Sequence, residues 1–134
     1  MNNAVIDRLV AATNAHDLDG LVDCFADDYV NETPTHPGRG FTGREQVHTN
    51  WSRIFAGVPD IKAEVAHLTV DGDDVWTEWE MAGTRGDGSP HLMRGVIIFR
   101  VGADRITHAR FYLEPVDAGE GGVNAAVTEA LGQQ

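Results

Sequence analysis

Val5, Ile6, Leu9, Val10 and Ala12 recur at helical spacing, so the chain opens with a helix over residues 3–15 that presents one broad apolar face. Asn14, His16 and Asp17 punctuate it. Asp17 suits the cap of a second helix, in which Leu18, Leu21, Val22 and Phe25 fall at i, i+3, i+4 and i+7. A short strand is expected at 29–33. The stretch PTHPGRGFTG at 34–43 carries two prolines and three glycines and reads as a long irregular loop, a candidate lid. Thr42 and Glu45 match a capping box, and Val47, Trp51, Ile54 and Phe55 give the third helix an apolar stripe until Gly57 and Pro59 stop it.

From residue 60 the period changes from about 3.6 to about 2. Turn clusters at 71–74 (DGDD), 85–90 (RGDGSP) and 102–105 (GADR) divide strands expected near 61–70, 75–83, 91–101 and 105–114, a four-stranded antiparallel meander. Residues 117–134 are small and glycine-rich, weakly helical at best, and are expected to form a partly ordered tail behind one domain over 1–116.

The faces of the meander follow from alternation. With turns centred near residues 87 and 103, one face carries Thr77, Trp79, Met81, Met93, Gly95, Ile97, Ala109, Phe111 and Leu113. The other carries Trp76, Glu78, Glu80, Arg94, Val96, Ile98, His108, Arg110, Tyr112 and Glu114. Burying the second set would place six ionisable side chains in a core at several kcal/mol each, so the first set looks inward.

Three helices followed by a curved sheet make an α+β layer. The stretch NAHDLDGLVDCFADDYV, the TP at 33–34, TGREQV at 42–47 and the closing hairpin IIFRVGADRITHARFYLEP resemble the SnoaL-like branch of the nuclear transport factor 2-like superfamily over residues 4–116. That superfamily includes the ketosteroid isomerases and the polyketide cyclases. The resemblance implies a cone-shaped barrel, with three N-terminal helices packed on a curved, mostly antiparallel sheet. It implies little about chemistry, because such folds host enzymes and pure interaction domains alike. The positions where similar isomerases carry their tyrosine, base and protonated aspartic acid are Leu9, Thr33 and Ile97 here, which supply neither base nor enolate-stabilising donors. The corresponding epoxide hydrolase positions are Trp79, Met81 and Phe111, and the inward aspartate of the cyclases has no counterpart in the inward set.

The net charge of −11 opposes nucleic acid, which needs a basic stripe, and ten scattered basic residues with Lys62 the lone lysine offer no polybasic run to an anionic membrane. No apolar run approaches the ~18 residues of a spanning helix, and no signal peptide is readable, so a cytoplasmic location is expected. Cys24 is the only cysteine, and the six histidines lack metal-ligand spacing, so neither a metal nor another cofactor is expected.

Polar groups able to reach the mouth of a cone are Asn31, Glu32, Thr33, His36 and His48. Glu32 is the acid or base candidate, assisted by His36, provided it points inward beside Trp51, Phe55 or Trp79; the pattern leaves open whether Asn31, Glu32 or Thr33 does. The expected occupant is a small apolar or aromatic molecule held between Trp51, Phe55, Trp79, Met81, Met93, Ile97 and Phe111 together with Asn31 and Thr33. Proton-transfer cyclisation or isomerisation is the chemistry those candidates would support. The alternative is a non-enzymatic dimeric ligand-binding or interaction domain. In both cases a homodimer is expected through the outer sheet face, with Val96 and Ile98 at its centre, Trp76 and Tyr112 on the flanks and Arg94 in the charged surround.

Overall fold

A computed structural model describes residues 3–133, so Met1 and Asn2 of the expected domain and Gln134 of the expected tail lie outside the described residues. Helix α1 (Ala4–Ala15) starts where the Asn3 carboxamide oxygen accepts the backbone N–H groups of Val5 and Ile6. It buries Val5, Ile6, Leu9, Ala12 and Thr13 and ends at His16, whose φ of 55° is left-handed. Asn14 then works as a strand partner: its amide nitrogen donates to the Ala63 carbonyl at 2.9 Å and its oxygen accepts the Ala63 N–H at 2.7 Å. Helix α2 (Leu18–Asp23) is capped by Asp17, as its sequence implies.

Phe25 is not the last apolar residue of α2 but the first of strand β1 (Phe25–Glu32), which begins four residues earlier than the 29–33 expected. Asp27 and Asp28 hide it from a periodicity reading, because β1 is irregular between Phe25 and Val30 where it pairs with the last strand. The 34–43 stretch is not wholly irregular either. It holds one 3₁₀ turn at Pro37–Arg39 and strand β2 (Phe41–Thr42), paired antiparallel to β1. Because Thr42 sits in β2, the expected capping box does not form. Helix α3 (Arg44–Gly57) begins at Gly43, whose φ of 95° suits glycine and whose N–H bonds the Tyr29 carbonyl.

The meander forms as β3 (Lys62–Asp71), β4 (Asp74–Thr84), β5 (Pro90–Val101) and β6 (Ile106–Pro115). The whole sheet has six strands in the order β2-β1-β6-β5-β4-β3, with β1 parallel to β6, so it is mixed and not closed. The chain is thus α+β, with α1 and α3 contributing their apolar stripes to the same core as the sheet.

The β4–β5 pairing has the expected register, with Trp79 opposite Gly95 and Glu80 opposite Arg94. The β5–β6 pairing differs by two residues: Ile98 faces Arg110 rather than His108, and Val96 faces Tyr112 rather than Arg110. One residue comes from the longer turn, in which Val101 pairs with Ile106, and one from an irregularity that passes over Thr107 before Arg100 meets His108. An even shift preserves the faces. Accordingly Thr77, Trp79, Ile97 and Ala109 are buried, while Trp76 and Tyr112 on the opposite face are 46% and 39% exposed. Ile98 is the exception, an outward residue only 5% exposed. Beyond the sheet, α4 (Val123–Ala130) is a formed helix where little helix was expected, and Val123, Val127 and Leu131 along it stand in solvent. At the level of sequence, Gly119, Gly121 and Gly122 mask the run that follows them and forms the helix.

Candidate functional site

The inward choice at the end of β1 is made by strand parity. Tyr29 and Asn31 point into the fold at 1% and 7% exposure, and Glu32 points out. The Tyr29 hydroxyl donates to the Asn31 carboxamide oxygen at 2.7 Å, leaving the Asn31 amide nitrogen as a donor. Desolvation pushes the phenol far above its ordinary pKa, so Tyr29 stays neutral. Phe25 and Phe41 meet its ring edge-on at 4.7 and 6.0 Å.

After β1 the chain runs as a strap over this point. The His36 N–H bonds the Thr33 carbonyl at 2.8 Å, the Arg39 N–H bonds the His36 carbonyl at 2.9 Å, and the His36 imidazole meets the Glu114 carboxylate of β6 at 2.8 Å. His36 is therefore a clasp between strap and sheet. From the other side α3 supplies Val47, Asn50, Trp51 and Ile54, and the sheet supplies Met81, His91, Met93, Phe111 and Leu113.

Between them lies a cavity of about 310 Å³ whose walls are mainly apolar and which includes no Asp or Glu. Its charged or titratable members are Tyr29, His91 and Arg39. Burial, and secondarily the nearby Arg85 charge, lowers the His91 pKa below its ordinary value, which keeps the imidazole neutral at pH 7.

Of the residues expected at the site, the cavity brings together Asn31, Thr33, Trp51, Met81, Met93 and Phe111. It leaves out five. Trp79 and Ile97, both 2% exposed, are sealed in the core, where the Trp79 ring meets Phe99 edge-on at 6.2 Å rather than Phe111. Phe55 turns away to stack on His16 at 4.9 Å. Glu32 lies on the opposite face, beside Ile98, Arg100, His108 and Arg110, because Asn31 takes the inward position. His36 is engaged with Glu114. Tyr29 was readable by parity with Asn31, and Leu113 by membership of the inward face. Arg39, Asn50 and His91 carry no such local signal, since each is brought in by a different element. Among the described residues no group of three His, Cys, Asp or Glu is placed to hold a metal, and no helix is long and apolar enough to cross a membrane.

The sequence model of a SnoaL-like domain matches residues 6–109. No curated protein matches the chain. Among solved structures, a Catenulispora acidiphila protein with a ketosteroid isomerase-like fold, in complex with trimethylamine, superposes with a TM-score of 0.73 at 20% identity, covering 84% of this chain and 87% of that one. A putative polyketide cyclase from Sinorhizobium meliloti gives 0.66 at 24% identity, covering 84% and 95%. A Mycobacterium tuberculosis protein in complex with estradiol-17β-hemisuccinate gives 0.69 at 24% identity, covering 81% and 89%.

Proposed function

The chain belongs to the SnoaL-like domain family, and we propose that it works by binding a small apolar or aromatic molecule in the cavity between β1, the strap, α3 and the sheet. The observation that carries this reading is the cavity itself. Its 310 Å³ falls at the lower end of the range typical of small-molecule sites, and its apolar walls are interrupted by a few convergent polar groups, Asn31, Asn50 and Arg39. The steroid derivative bound by the Mycobacterium tuberculosis protein supports the same use of a related cone. A packed interior would have favoured the interaction-domain alternative.

Asn50→Trp tests it. The position is half-buried on α3, so the added ring fills the cavity at small cost to the fold. Apolar fluorescent probes should bind the wild type with energy transfer from Trp51 and should be excluded by the variant. Equal binding by both would reject this cavity as the site.

His91 favours a second reading, proton transfer, because a neutral imidazole in an apolar wall is a competent base. With Glu32 outside and His36 clasped to Glu114, it is the candidate base that lines the cavity. Wild-type catalysis of hydrogen–deuterium exchange alpha to a bound ketone, lost in His91→Gln, is the expected result; exchange unaffected by the substitution excludes the reading.

We also propose that two copies associate through the outer sheet face. Trp76 and Tyr112 stand exposed there, flanked by the Arg94–Glu80 ion pair at 2.9 Å. Covering them with their symmetry mates removes the largest exposed aromatic surface on the sheet from water.

A further inference from the structure

We infer that the occupant of the cavity carries one anionic group, such as a carboxylate, on its apolar body, and that Arg39 receives it at the mouth. This rests on the binding reading above and adds the ligand's charge. The chain has 21 Asp and Glu residues among 134, yet none lines the cavity, and the one permanently charged lining residue is Arg39. Arg44, Arg94, Arg100 and Arg105 each meet a carboxylate at 2.7 to 3.2 Å. Arg39 meets none among the described residues.

Its placement is built into the strap. The backbone bonds from His36 to Thr33, Arg39 to His36 and Gly40 to Pro37 wind the segment tightly, and the His36–Glu114 contact ties it to β6. Gly40 lies close to the Asn31 carbonyl, 3.3 Å from where a Cβ would stand, so the strap rests directly on the strand end that carries Asn31. The strap thereby places Arg39 beside an apolar opening, its guanidinium exposed and without a carboxylate partner among the described residues. A neutral occupant would leave that charge unused. A cationic one would meet it unfavourably, whereas an acid places its apolar part against Trp51, Met93 and Phe111 and its charge on Arg39.

Two probes with nearly the same aromatic body separate the charge from the cavity: anilinonaphthalene sulfonate, an anion, and N-phenylnaphthylamine, which is neutral. Titrations with full-length wild type, Arg39→Gln and Asn50→Trp, each checked by circular dichroism, are read as dissociation constants. Since Arg39 is exposed to solvent, its removal should weaken the sulfonate by roughly three- to tenfold, less at high salt, and change the neutral probe by less than about twofold. Asn50→Trp should exclude both. If Arg39→Gln weakens both probes equally or neither, while Asn50→Trp still excludes them, the anion inference is wrong and the cavity reading stands. If neither probe binds wild type, or both bind Asn50→Trp unchanged, the cavity reading falls and the inference with it.

Discussion

Trp79→Ala should cost about 4 kcal/mol of stability. The indole is 2% exposed, opposite Gly95 and edge-on to Phe99. Burying ~150–250 Å² of aromatic surface at ~25 cal/mol per Å² gives about 4–6 kcal/mol, and truncations of this kind cost ~3–5 kcal/mol in practice. The ring is also wired into the sheet. Its Nε1–H donates to the Thr77 hydroxyl at 2.6 Å, which donates in turn to the Ile97 carbonyl at 2.6 Å. Thr77→Val would leave the indole N–H and that carbonyl without these partners, at about 1–3 kcal/mol. Trp79→Phe keeps most of the apolar volume and removes the donor, at ~1–2 kcal/mol. Because both substitutions break the same bond, the double variant should cost about 1 kcal/mol less than the sum. Urea unfolding followed by circular dichroism at the helix band measures wild type and all four variants without relying on tryptophan emission. A Trp79→Ala loss below ~1 kcal/mol would show that the ring is not buried as described, and a strictly additive cycle would refute the relay through Thr77.

Gly95→Ala should destabilise by ~2 kcal/mol or more, measured the same way, because Gly95 has φ of 151° and an added Cβ would run into the Tyr112 carbonyl and the Leu113 backbone; a neutral substitution would mean that β5 and β6 are further apart there. Burial holds the His91 pKa below the ordinary 6.5 of a histidine in the folded chain, so the unfolded chain takes up this proton first as pH falls. Its contribution is present above 6.5 and is lost through the window between 6.5 and the lower folded value, so the stability–pH curve should slope there in wild type and flatten in His91→Gln; identical curves would remove His91 from its desolvated position. Asn14→Ala should cost about 1–3 kcal/mol, since it strips both bonds that tie α1 to Ala63 of the edge strand β3, and raised hydrogen exchange at the Ala63 amide would report it. Light scattering should give twice the 14.5 kDa chain mass for wild type and the single mass for Trp76→Glu with Tyr112→Arg; a wild-type monomer excludes the outer-face dimer.

Local periodicity was sufficient for α1, the start of α2, α3 and the meander, because a helix face and a strand face are each written in residues three or four, or two, apart. It was also sufficient for which side of the sheet is inside. The error in the β5–β6 register was two residues, an even number, so Thr77, Trp79 and Ile97 kept the face that alternation assigned them. What periodicity did not carry is any pairing set by a distant partner. The parallel contact of β1 with β6 joins residues about eighty apart in the chain, and that contact, with β2 on the other side, seats β1 so that Asn31 faces in and Glu32 out. The composition of the cavity is of the same kind. Trp51 and Phe55 lie one helical turn apart on the same stripe, yet Trp51 lines the cavity while Phe55 is drawn off by the His16 ring. Trp79 and Met81 share a strand face, but the cavity opens only beyond Met81, toward the end of the sheet under the strap. Burial class is a property of a position's own face. Convergence on a cavity depends on where several elements stop, which short-range spacing does not encode and tertiary packing alone decides.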